Sequence, residues 1–130
     1  MVFIPHNASH YCLVDASWKD AKEDGGIGWS LYSKEGIQVL RGSSSIHSTN
    51  SSLEAEAISM SMAVQQMRAL RYENVAFISD CKSLIEEIKQ GQSQQALRVV
   101  RSSEAHSFIQ DILIMSGSLK FSFHYGPRSD

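Results

Sequence analysis

Apolar and polar positions change period several times along the chain, and each change predicts an element. "HYCLVDASW" predicts a strand over about 9–17, with Asp15 following its apolar run. "KDAKEDGG" is a charged turn that closes on Gly25-Gly26, and "IGWSLYS" predicts a second strand. Lys34-Glu35-Gly36 is a hairpin turn into "IQVLRGSSSI", the third strand of an antiparallel meander. "HSTNSS" is a polar loop rich in helix-capping residues. Leu53, Ala57, Met60, Val64 and Met67 then recur at spacings of four and three, which predicts a helix over 52–71. "NVAFISD" is a fourth apolar strand, and it too ends on an acid, Asp80. "CKSLIEEIKQG" predicts a short helix with Gly91 as its C-cap. The segment from Gln92 to Gly117 holds helical material, with its best stripe at Ala105, Phe108, Ile109, Ile112 and Met115. "SLKFSFHYG" alternates Leu119, Phe121 and Phe123 with polar residues, a fifth strand. The order β-β-β-α-β-α-α-β implies a mixed α/β sheet carrying packed helices.

Composition narrows this picture without changing it. A chain of 130 residues, 42% hydrophobic and 20% charged, is expected to fold as one domain over 1–130 and to bury a core. The net charge of −2 supplies no basic field, so a nucleic-acid partner has to be held by a few local contacts. Cys12 and Cys81 stand in no metal-ligand spacing and are expected as reduced thiols of an intracellular protein. "MVFIPHNASH" lacks the basic start and long apolar run of a secretory signal, and no stretch has the length of a membrane span. No membrane partner is expected, and a monomer is.

The acids carry the candidate chemistry. If the fourth strand lies parallel to the first, Asp15 and Asp80 emerge at the same end of the sheet, where open α/β sheets place their sites. Two like charges there repel unless a cation neutralises them, and Mg²⁺ is commonly held by one or two carboxylates plus substrate phosphates. A third carboxylate is available from "LEAEAISM". Glu54 and Glu56 lie about 200° apart around a helix, so one of them faces the sheet. Glu56 shares its face with Met60, Ala63 and Met67, whereas Glu54 aligns with Ile58, Ser61 and Gln65. The wheel favours Glu56 as the inward acid. Taken singly, each acid also reads as a turn former, a cap or a solvated position; the conjunction of three is what points to a metal.

With these residues in view, the chain resembles the ribonuclease H-like superfamily, and most of all the type 1 ribonuclease H domains of the plant and retroelement reverse-transcriptase-like kind. The matching pieces are "LVDASWK", "GIGWSLYSKEG", "SSLEAEAISMSMAV", "YENVAFISDCKSLIEEI" and "FSFHYGPRSD", in family order. The resemblance implies a five-stranded mixed sheet, strands 1–3 antiparallel, flanked by helices. It implies endonucleolytic cleavage of the RNA strand of an RNA–DNA hybrid by two Mg²⁺ ions, with Mn²⁺ as a substitute, roughly 4 Å apart. It places the metal-binding and catalytic acids on Asp15, Glu56 and Asp80. The family's fourth acid sits on a last helix beyond a "PR…N" element; here "GPRSD" runs to Asp130, so that C-terminal helix and its Asp are missing and the domain reads as truncated. Asp130 precedes that helix and does not replace its acid.

Substrate contacts are expected from Thr49 and Asn50, in the loop before the Glu56 helix, and from Arg128 in the "PR" element. Ser48, Thr49 and Asn50 read equally well as caps. His124, Trp18 and Trp29 read as structural or packing residues, and Arg98 and Arg101 as surface. The family's basic, hybrid-gripping protrusion is not visible in this sequence. A second reading follows from that and from the missing acid: a catalytically weakened ribonuclease H-like module that binds nucleic acid or a protein.

Overall fold

A computed structural model describes residues 7–93 and 105–126. The helical reading of 94–104, with Arg98 and Arg101, falls outside these residues, as do Arg128 and Asp130. The elements run β1 (His10–Ser17), β2 (Gly25–Ser33), β3 (Gln38–Ile46), α1 (Ser52–Ala69), β4 (Val75–Ser79), α2 (Lys82–Ser93), α3 (His106–Ser116) and β5 (Ser122–Tyr125). They form one five-stranded mixed sheet in the order β3-β2-β1-β4-β5. β1, β2 and β3 are the antiparallel meander, and β4 pairs parallel with both β1 and β5.

The sheet is built around β4, whose five residues are all buried, as a continuous apolar run in a parallel position should be. Cys12, Val14, Leu31, Val75, Phe77 and Phe123 face one side of the sheet. Met60, Val64 and Met67 of α1, Leu84 and Ile88 of α2, and Ile109 and Ile112 of α3 close over them in one core. Phe77 is its centre, stacked on Phe123 at 5.5 Å and edge-on to Phe121 at 5.1 Å. On the opposite face of β1, Leu13 is 37% exposed and Asp15 is exposed too.

Element ends follow local chemistry. Ser51 caps α1, its Oγ accepting from the Glu54 N–H at 3.1 Å, while Glu54 Oε1 accepts from the Asn50 N–H at 3.0 Å. This is close to a capping box, and it commits Glu54 to the helix start. α1 stops two residues short of the expected Arg71. The Tyr72 N–H bonds to Met67 O and the Arg71 N–H to Arg68 O, a Schellman ending with Arg71 at φ 67°. The sequence hides this stop because an arginine holds the place glycine usually takes. Gly91 is not the C-cap of α2; the helix continues to Ser93. Its missing side chain serves helix packing instead, since a Cβ there would lie 2.5 Å from Leu113 Cδ1 of α3. β5 is shorter than its alternation suggests, and Leu119 and Phe121 reach the core from just before it.

Candidate metal centre

Three elements deliver three acids to one end of the sheet. β1 and β4 are parallel neighbours, with Val14 opposite Ser79, so the residues that follow, Asp15 and Asp80, stand side by side. Asp15 lies within β1, which runs on to Ser17. Asp80 occupies the turn into α2, and that turn is fixed at both sides. Ser79 Oγ, on a residue only 1% exposed, accepts from the Cys81 N–H at 3.0 Å, and Ser79 O accepts from the Gly126 N–H at 2.9 Å. Glu56 comes from the sheet-facing side of α1, among Ala57, Ser59 and Met60. One carboxylate oxygen from each of Asp15, Glu56 and Asp80 lies within 4.8 Å of the other two.

Burial grades the three. Asp15 is exposed and Glu56 and Asp80 are intermediate, yet Glu56 Oε1 is shielded from solvent. The set is all-carboxylate, and hard oxygen donors suit a hard divalent cation such as Mg²⁺ or Mn²⁺ rather than a thiophilic one. Carboxylates this close repel one another, and a shared cation relieves that. The residues therefore fit the ion that the resemblance implies.

A residue outside the sequence reading holds the geometry. Ser59, one turn beyond Glu56 and 1% exposed, donates its hydroxyl to the backbone oxygen of Asp15 at 2.7 Å. It ties the helix bearing one acid to the strand bearing another. Its signal in the sequence is only its spacing of three from Glu56, which the apolar stripe does not single out.

The expected substrate contacts are placed unevenly. Thr49 is buried and its hydroxyl donates to Ser51 O at 3.0 Å, while its own carbonyl accepts from Trp18 Nε1 at 3.3 Å. Asn50 is exposed beside the start of α1. The Ser48 N–H anchors this loop to Asp24 Oδ1 at 3.1 Å. His124 lies on β5 with Nε2 at 2.8 Å from Ser122 Oγ, and burial, aided by the Lys89 charge, holds its pKa below the usual histidine value. Trp29 packs over Gly42. Cys81 is half-buried next to Asp80, and Cys12 is sealed in the core; both are free thiols. Among the described residues no helix is long and apolar enough to cross a membrane.

The family model described as "Reverse transcriptase-like" matches residues 13–130, a span that contains all three acids. The chain belongs to this reverse transcriptase-like family. Solved structures give the fold of this reverse transcriptase-like chain its name, ribonuclease H. RNase H1 from the halophilic archaeon Halobacterium salinarum superposes with a TM-score of 0.76 at 12% identity, over 92% of this chain and 86% of that one. The N-terminal RNase H domain of a Mycobacterium tuberculosis protein gives 0.75 at 11% identity, over 94% and 84%. LC11-RNase H1, a compost metagenome protein solved in complex with an RNA/DNA hybrid, gives 0.73 at 14% identity, over 92% and 86%. None of the curated proteins matches this chain.

Proposed function

We propose that the chain is a divalent-metal-dependent ribonuclease H that cuts the RNA strand of RNA–DNA hybrids. One observation carries this reading: carboxylate oxygens of Asp15, Glu56 and Asp80 meet within 4.8 Å at the sheet end of a ribonuclease H fold. Asp15, Glu56 and Asp80 would hold Mg²⁺ or Mn²⁺, which supplies Lewis-acid neutralisation of the phosphoryl oxygens and a more acidic bound water. Hydrolysis makes one P–O bond from water and breaks the bond to the 3′-oxygen, which leaves with a proton.

The chain's own part is positioning. Ser59 holds the backbone of Asp15, and the Ser79 turn holds Asp80, so neither acid has to be ordered when substrate arrives. Asn50 and the loop that carries it lie just before the Glu56 helix, within the class of polar contacts that read sugar hydroxyls and phosphates rather than bases. Arg128 is proposed as a phosphate contact from the resemblance alone.

The test uses a labelled RNA–DNA hybrid with Mg²⁺ or Mn²⁺, beside Asp80→Asn. Cleavage by the parent, lowered by roughly 10²-fold or more in the variant, is the expected result. Metal-dependent binding without cleavage by either protein identifies a binding module and overturns the nuclease.

A further inference from the structure

A large aromatic at the acid end of the sheet is left partly in water. Trp18 follows the last residue of β1, three positions after Asp15, and is 37% exposed. Its Nε1–H donates to Thr49 O at 3.3 Å, so the ring bridges from the end of β1 to the loop that enters α1, the helix carrying Glu56. That loop is itself held. Thr49 is 7% exposed, its hydroxyl donates to Ser51 O at 3.0 Å, and the Ser48 N–H is tied to Asp24 Oδ1 at 3.1 Å. The indole is therefore fixed at its N–H edge. Three residues of extended chain span about 10 Å, the length of about three stacked nucleotides. Other exposed apolar side chains lie elsewhere. Ile37 stands beyond the end of β2 where Ser33 pairs with His10, and Leu70 is the C-cap of α1, near Tyr72, whose ring meets His10 at 5.0 Å.

We infer that Trp18 is a nucleic-acid contact: its exposed indole surface lies on the sugar of a nucleotide close along the strand to the one presented to Asp15, Glu56 and Asp80. The inference rests on the nucleic-acid reading above and deepens it. Packing, which the sequence suggests for Trp18, accounts for the indole N–H and the covered part of the ring. It does not account for more than a third of the side chain kept in water, from which apolar surface is favourably removed. Charge offers little alternative grip here. The chain carries −2 overall, and Lys19, the cation next to Trp18, is paired with Glu23 at 3.3 Å. An aromatic surface needs no basic field, and its contacts tolerate any sequence. The wide, shallow minor groove of an A-form-like duplex brings sugars and their hydroxyls to the surface, where a flat ring can lie against them. A ring already fixed at one edge also has less freedom to lose on binding.

The test follows tryptophan emission on adding an unlabelled RNA–DNA hybrid in Ca²⁺, with affinity measured in parallel from the anisotropy of a labelled hybrid. The chain has two tryptophans, so Trp18→Phe reports Trp29 alone. Hybrid is expected to reduce acrylamide quenching of the wild type and to leave that of Trp18→Phe unchanged. Trp18→Phe keeps a flat ring and is expected to bind within about threefold of the wild type, whereas Trp18→Leu is expected to bind about tenfold more weakly. The slope of log K against log salt is expected to stay the same in both, because no phosphate contact is lost. Mn²⁺ affinity of Trp18→Leu without hybrid, read by its paramagnetic resonance signal, is expected to match the wild type, which shows that the acids remain assembled. Hybrid binding that leaves wild-type acrylamide quenching unaltered overturns the Trp18 contact and leaves the nucleic-acid reading standing. Equal hybrid affinity of Trp18→Leu and wild type does the same. A wild type that binds no hybrid overturns that reading and the contact with it.

Discussion

Ser59 and Cys12 show what single buried atoms do, one at the site and one in the core. Ser59→Ala removes the hydroxyl donated to Asp15 O at 2.7 Å and leaves that carbonyl facing an apolar methyl. The expected cost is about 1–2 kcal/mol in urea unfolding, with Mn²⁺ affinity down about tenfold because Asp15 loses its support. Ser61→Ala, one turn-face away on α1, is expected to change neither; equal effects of the two variants would remove the special role of Ser59. Cys12 gives a pH prediction with a definite sign. Burial pushes its thiol from 9.0 up to about 12, against a smaller downward pull from the Ser30 backbone hydrogen bond. Between those values the unfolded chain releases a proton that the native state keeps. The contribution is therefore fully present below pH 9.0 and is lost as pH rises toward about 12. Wild-type stability is expected to fall over that range more steeply than that of Cys12→Ala, by about 1.4 kcal/mol per pH unit. Parallel slopes for the two proteins would contradict this.

The elements divide into those the pattern exposes and those that depend on partners. α1 was legible because Ala57, Met60, Val64 and Met67 repeat with the helical period and are all buried. The acids of β1 and of the turn after β4 were legible because a carboxylate after an apolar run breaks the pattern. What the pattern could not supply is register. Nothing local says that Gly28 stands between Asp15 and Ser43, or that Ser59 meets a strand 44 residues away. Glycines show the same limit. Gly91 reads as a helix end, yet it marks the close passage of α3, and Gly42, inside β3, is covered by Trp29. A Cβ at Gly42 would lie 2.7 Å from two carbons of the indole, which is rigid and has no small adjustment available. Gly42→Ala is thus expected to destabilise by about 1–3 kcal/mol through overpacking, against the usual gain for alanine over glycine in a strand. Denaturation of Gly42→Ala in the Trp29→Leu background is the check, since most of the penalty is expected to vanish there.

For the molecule as a whole, a metal held by the three acids would couple to folding. They come from β1, α1 and the β4–α2 turn, so they converge only in the native state, and an ion that needs all three binds the native chain alone. Such an ion stabilises by mass action, about 2.7 kcal/mol at a concentration one hundred times its dissociation constant. In a chain of 130 residues this is expected to raise Tm by several degrees. The shift should reverse with a chelator. It should be absent with KCl at matched ionic strength, because general screening does not require the cluster. Glu56→Gln and Asp80→Asn remove one ligand each while keeping size, and both are expected to lose most of the Mg²⁺ and Mn²⁺ shift. Arg41→Ala, which leaves the acids untouched, is expected to keep it in full. Thermal melts of these four proteins therefore assign the shift to the acids without any substrate. A Mn²⁺ shift of equal size in wild type and Asp80→Asn would mean that the convergence of carboxylates does not bind the ion.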